Sequence, residues 1–199
     1  MANQTELRIV SGNDLPERYR TLLQPGVLVE CGEGVKRRLP RFFYEVGSWQ
    51  QAKNTMLTPH FALAELMMVD CLESEGLLRH PPHYVPLAVG VLARYLEDFR
   101  EKAGDEKVYI SANGGYRSPS HRLTKMPGVH NWGTAADIYR VGDCYLDDRE
   151  SIEKYGQIFA TLGAEVYVAP YGIGEGETDD HLHVDIGYVS ITPRKIGED

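Results

Sequence analysis

His130-Asn131-Trp132-Gly133-Thr134-Ala135-Ala136-Asp137 is the stretch on which the reading of this chain turns. A helix would set His130 and Asp137 on one face two turns apart. Gly133 and the β-leaning Ala-Asp-Ile-Tyr run that follows it oppose a helix. The stretch reads instead as a loop that donates His130 and folds back over the start of a strand carrying Asp137. Gly133 permits the fold-back because glycine adopts positive φ without steric cost. Ala135 and Ala136 keep the strand surface open. Some fifty residues on, Asp180-His181-Leu182-His183-Val184-Asp185-Ile186 reads as a final strand. Alternation along it turns His181, His183 and Asp185 to one face. Two imidazoles and a carboxylate from these segments suffice to hold one divalent metal with a fourth position left for water. Either both histidines of the pair ligate, or one ligates and the other stands beside it.

The elements around these segments define the fold class. Val108 to Ala112 alternates as a strand, Asn113-Gly114-Gly115 turns, and Tyr116-Arg117-Ser118 leads into an irregular stretch up to Gly133. Ser151 to Gly163 reads as a helix closed by Gly163, and Val166 to Val168 as a short strand. Gly172 to Gly176 forms a turn. Upstream, Thr58-Pro59 reads as a helix start, with an apolar stripe through Leu63, Leu66, Met67 and Val69 that stops near Gly76. Pro81-Pro82 marks a turn. Pro86 opens a second helix through Val91, Leu92, Tyr95, Leu96 and Phe99, ended by Gly104-Asp105. Two helices followed by strands that one helix interrupts give an α+β fold with an antiparallel sheet and packed helices. Residues 1–56 lack clear periodicity apart from a short strand at Leu7 to Val10. They read as an extension packed on the main domain, 57–199.

Composition narrows the function classes. The chain has 199 residues, 42% hydrophobic and 25% charged, the balance of a soluble globular protein. A net charge of −8 and the lack of a basic stripe argue against nucleic acid as a partner. Lys36-Arg37-Arg38 is too short to change that, and reads as a solvated loop. No apolar run reaches the ~20 residues of a membrane helix, so no membrane partner is expected. The first residues carry neither the basic region nor the apolar core of an export signal, which points to the cytoplasm. Three cysteines without regular spacing fit reduced thiols. Cys71, in an apolar helical pattern, reads as a small core residue. His60, His80, His83 and His121 read as ordinary surface or core histidines.

The combination HxxGxAxD at 130–137, Gly115-Tyr116-Arg117-Ser118 and DHxH at 180–183 resembles the zinc D-Ala-D-Ala carboxypeptidases. These belong to the hedgehog/DD-peptidase group that also takes in lysostaphin-type metallopeptidases. Leu57-Thr58-Pro59-His60-Phe61-Ala62-Leu63-Ala64-Glu65-Leu66 is similar to the helix opening of a branch containing cell-wall peptidases and phage endolysins. The likeness covers roughly 57–190.

This resemblance implies a zinc cleft in which His130, Asp137 and His183 are the metal ligands. It implies Asp180 as the base that deprotonates the metal's water, with Glu177 as the alternative. It further implies Arg117 as the group that holds the substrate carbonyl, and His181 as a hydrogen-bonding or proton-carrying neighbour that does not ligate. Hydrolysis of a peptide bond in a peptide or muropeptide of peptidoglycan type follows, in the cytoplasm or after release by phage lysis. The other reading is a metal-containing binding module of the same fold without turnover. Two departures accompany the likeness: Gly128 stands where many relatives have serine, and aspartate stands at 180 where several have glutamate. Residues 1–56 resemble nothing in that group.

Overall fold

The computed structural model describes residues 7–173 and 178–194. In chain order its elements are β1 (Arg8–Ser11), α1 (Glu17–Leu23), β2 (Leu28–Glu30), β3 (Lys36–Arg38), β4 (Phe42–Val46) and α2 (Trp49–Asn54). They continue with α3 (Leu63–Met67), β5 (His83–Pro86), α4 (Val89–Lys102), β6 (Val108–Ile110) and α5 (Val129–Trp132). The last are β7 (Ala135–Val141), β8 (Cys144–Tyr145), α6 (Arg149–Ala160), β9 (Tyr167–Val168) and β10 (Leu182–Asp185). The architecture is α+β and every strand pair is antiparallel.

One sheet runs β6-β7-β10-β9, with β8 paired to β7; a second runs β1-β4-β5; β2 and β3 form a separate hairpin. The β1-β4-β5 sheet joins strands from both sides of residue 56.

The pleat of the larger sheet sorts its residues. Ala136, Ile138, Leu182 and Val184 enter the main apolar core, which Leu92, Leu96 and Phe99 of α4 share with Ile152, Tyr155 and Phe159 of α6. Phe99 meets Phe159 at 5.5 Å and Tyr155 at 6.3 Å between ring centroids, the tilted and edge geometries aromatic rings favour. Each fully buried aromatic or leucine here contributes roughly 2–3 kcal/mol by area removed from water. The alternate residues Ala135, Asp137, His183 and Asp185 therefore face away from this core. A smaller cluster of Val10, Tyr19, Leu23, Phe43 and Tyr84 holds α1 to the β1-β4-β5 sheet, with Tyr19 edge-on to Tyr84 at 4.8 Å.

Several local expectations are corrected. Thr58-Pro59 does not start a helix: Met56 bridges Ala62, and Leu57 N–H donates to the Phe61 carbonyl, closing a tight loop. The helix begins at Leu63, where Glu65 accepts from the Ala62 N–H at 2.9 Å, and it ends at Met67. Its carbonyls are taken by another segment, Leu66 accepting from Tyr116 N and Met68 from Asn113 N, so the apolar stripe does not continue to Gly76. Pro86 closes β5, and α4 starts at Val89. The helix expected to close on Gly163 ends at Ala160, with Asp148 capping its start by accepting from Ser151 N. The stretch before Gly133 holds one helical turn, α5. Residues 7–56 hold four strands, two α-helices and a 3-10 turn at Gly12–Asp14 despite their weak periodicity. Cys71 is exposed, not in the core.

Candidate metal centre

β7 and β10 bring the two segments together. Their register sets His183 directly opposite Asp137 and Asp185 opposite Ala135. Gly133, at φ 69°, caps α5 in the left-handed conformation and returns the chain into β7, which carries His130 back over Asp137. His130, Asp137 and His183 each offer one ligand atom, all within 4.8 Å of one another.

Arg117 enters from the turn after β6. Asn131 Nδ2 donates to the carbonyls of Arg117 at 2.9 Å and Ser118 at 3.0 Å, and Arg117 N–H donates to the His130 carbonyl at 3.2 Å. These bonds tie α5 to the Arg117 segment. Gly115 makes the turn feasible, because a Cβ there would lie 2.3 Å from the Leu66 carbonyl oxygen. No other residue fits that approach unshifted.

Proton positions follow from the partners. His130 Nδ1 lies 2.8 Å from the Gly115 carbonyl, which can only accept, so Nδ1 carries the proton. His130 Nε2 then has the lone pair, and it accepts from Arg117 Nη2 at 2.5 Å. His183 is oriented the other way: Nδ1 faces Asp137 Oδ1 at 2.7 Å, and Nε2 stands 3.5 Å from Asp185 Oδ2. Asp185 is buried and anchored by accepting from Gly187 N at 2.7 Å. Each imidazole thus turns one nitrogen to Asp137 and leaves the other against a fixed acceptor.

The charges are tightly coupled. Burial alone would raise the Asp137 carboxyl, but the His130 and His183 imidazoles outweigh it and hold its pKa well below the usual carboxylate range. Burial lowers His130, and Asp137 offsets only part of that. Burial also opposes the charged form of His183, but hydrogen bonds to Asp137 and Asp185 prevail and push it up to about 9. In this geometry His183 is an imidazolium paired with Asp137. Arg117 Nη2, 2.8 Å from Asp137 Oδ2, is the second cation on that carboxylate.

The donor set fits a divalent first-row metal. Zinc bonds of about 2.0–2.2 Å place tetrahedral ligand atoms roughly 3.4 Å apart. From a spread of up to 4.8 Å the set closes by roughly 1.4 Å, and the 2.7 Å Asp137–His183 pair opens by roughly 0.7 Å, to meet that spacing. A cation would take over the charge that Arg117 and the His183 proton now supply to Asp137. Imidazoles whose far nitrogens are held by a backbone carbonyl and a carboxylate are the usual form of metal-binding histidines.

The other expected site residues lie as follows. His181 Nε2 is 3.7 Å from Asp137 Oδ1, at the rim of the cluster, and its Nδ1 is 2.6 Å from Asp180 Oδ1. The Asp180 side chain is 77% exposed and reaches the cluster through His181. Glu177 lies outside the described residues. Two groups that hold the imidazoles were not assigned from sequence. Asp185 had a signal in the HxHxD alternation; the Gly115 carbonyl had none.

Comparison with known proteins gives no further guide: no family model, no curated protein and no solved structure matches this chain. Among the described residues, no helix is long and apolar enough to cross a membrane.

Proposed function

We propose that this protein is a zinc-dependent peptidase of the D-Ala-D-Ala carboxypeptidase type, cutting a peptide bond in a D-amino-acid-containing, peptidoglycan-like substrate. The observation that carries the reading is the buried His130–Asp137–His183 cluster, in which each imidazole presents one nitrogen to a shared centre. Its surroundings contain an Arg117 guanidinium and an Asp180–His181 pair, as hydrolysis requires.

Zinc held by these three residues would supply a Lewis acid and a water acidic enough to lose its proton near neutral pH. The chain's own groups do the rest. His181 Nε2 takes up the proton, with Asp180 holding Nδ1–H and stabilising the imidazolium that forms. The same nitrogen then returns the proton to the leaving amine. Arg117, released from Asp137 once a dication lies there, turns its guanidinium to the substrate carbonyl and meets the negative charge that develops on its oxygen. Gly128 leaves open space at the entrance to α5, where a Cβ would meet nothing closer than 3.8 Å.

Incubation of the zinc-loaded protein with D-Ala-D-Ala-ending peptides and with muropeptides, followed by mass spectrometry, tests the reading. Chelator-sensitive cleavage is expected. If a zinc-loaded protein leaves every D-containing peptide intact, the peptidase assignment fails and a metal-binding module without turnover takes its place.

A further inference from the structure

A second site lies where the amino-terminal region meets the segment after β10. A groove of about 290 Å³ runs between Arg38, Leu39, Arg41 and Phe42 on one side and Ser190, Ile191 and Thr192 on the other. Leu39 is buried and Phe42 and Ile191 are half-buried, whereas both arginines, Ser190 and Thr192 are exposed. The groove therefore combines an apolar floor with a cationic, hydroxyl-bearing rim.

The cations at this rim are not spent on ion pairs. Arg38 donates one Nη1–H to the Gly26 carbonyl at 3.1 Å, and Arg41 lies 5.8 Å from the centre of the Phe42 ring. Among the described residues neither guanidinium meets a carboxylate, and neither does Arg37 beside them. Unpaired arginines grouped in this way contrast with a chain of net charge −8.

The groove is linked to the metal centre. Arg37, next to Arg38 on β3, stacks on the Tyr188 ring at 4.3 Å. Tyr188 meets Trp132 edge-on at 4.9 Å, and Trp132 shares the single turn of α5 with His130. Ser190 follows His183 by seven residues, which caps their separation at roughly 25 Å. An extended peptide of about seven residues covers that distance.

We propose that this groove binds the carboxylate-bearing arm of an acidic peptide whose scissile bond lies at the metal centre, an inference that rests on the peptidase reading above. Two guanidiniums and two hydroxyls offer the donors that a carboxylate takes up. The apolar floor fits the aliphatic stem that carries it, which an inorganic anion lacks. A polyanion is disfavoured, because its remaining charges would meet the acidic body of the protein.

The test is fluorescence anisotropy on the protein as purified, using a dansylated hexapeptide with two glutamates and its glutamine counterpart. Peptide integrity is checked afterwards by mass spectrometry. The glutamate peptide is expected to bind at least tenfold tighter, with the difference abolished in the Arg38→Gln/Arg41→Gln double variant and by about 0.5 M salt. Both side chains are exposed, and an unchanged melting curve verifies the variant's fold. Equal binding of the two peptides overturns the proposal, as does full displacement by 10 mM inorganic phosphate. Selective binding, with every D-containing peptide left intact by the zinc-loaded protein, would sink the peptidase reading and leave the groove standing. Cleavage without a preference for glutamate would do the reverse.

Discussion

Asp137 and His183 face each other across the β7–β10 pair, with Oδ1 of one 2.7 Å from Nδ1 of the other. Without metal this is an ion pair, and His183 is pushed up to about 9. Metal must displace that proton. Zinc affinity is therefore expected to rise with pH from neutrality to about 9, close to tenfold per unit, and to level off above it. Calorimetric titrations in buffers of different ionisation heat check this; release of about one proton per zinc at pH 7 is predicted.

Arg117 hydrogen-bonds two of the three ligand residues, so its removal separates binding from chemistry. Arg117→Ala is expected to hold zinc at least as tightly as the unaltered protein, because a competing cation is gone. Turnover should fall by a factor of about 10²–10³, the usual cost of losing a group that stabilises the oxyanion. Equilibrium zinc binding and steady-state hydrolysis, measured on the same sample, separate the two effects.

Asp185 holds the far nitrogen of His183. Asp185→Asn keeps an acceptor for the Gly187 N–H but loses the charge that raises His183. Above about pH 9, where His183 has no proton to displace, zinc affinity is expected to drop about 10–100-fold. Competition with a chromogenic chelator reads this directly, with circular dichroism to verify that the sheet is retained.

Stability should depend on pH in two opposite ways. Burial lowers His83 and His121 to about 4, so the unfolded chain binds protons that the folded one refuses. Stability is then lost as pH falls from about 6.5 towards 4, on the order of 1–3 kcal/mol for each histidine. His183 acts oppositely in the metal-free protein: its contribution is full below 6.5 and vanishes as pH rises through about 9. Melting curves of chelator-treated protein should therefore peak near neutral pH. Added zinc should remove the alkaline decline and leave the acid one.

Gly115 is held by packing against backbone. Its substitution by alanine places a methyl 2.3 Å from the Leu66 carbonyl oxygen, and a helix end cannot yield as a side chain does. Gly115→Ala is expected to destabilise by about 1–3 kcal/mol. It should also weaken zinc binding, because the Gly115 carbonyl fixes the His130 tautomer. Chemical denaturation and zinc titration of the variant measure both.

The site was more legible in the sequence than the scaffold that carries it. Alternation in His181-Leu182-His183-Val184-Asp185 fixes which side chains share a face, because a strand has only two. Gly133 announced its positive φ by being the single glycine between a histidine-bearing loop and a small-residue strand. Boundaries governed by distant partners were not legible. Thr58-Pro59 has the local chemistry of a helix start, yet the helix waits until Leu63 because Met56 and Ala62 bridge first. The strand expected at Leu7 to Val10 is β1, Arg8–Ser11, whereas β2 and β3 escaped notice because they lack alternation and pair only with each other. Cys71 looked like core because its neighbours are apolar, but the chain has already left α3 at that point.

The decisive measurement is the zinc content and zinc affinity of the purified protein beside His130→Ala, Asp137→Ala and His183→Ala. One zinc per chain is predicted for the unaltered protein, with affinity reduced at least a hundredfold in each variant while the fold persists. A protein that takes up no zinc, or that binds it equally well after all three substitutions, would contradict a shared metal centre and leave these residues as a buried ion cluster.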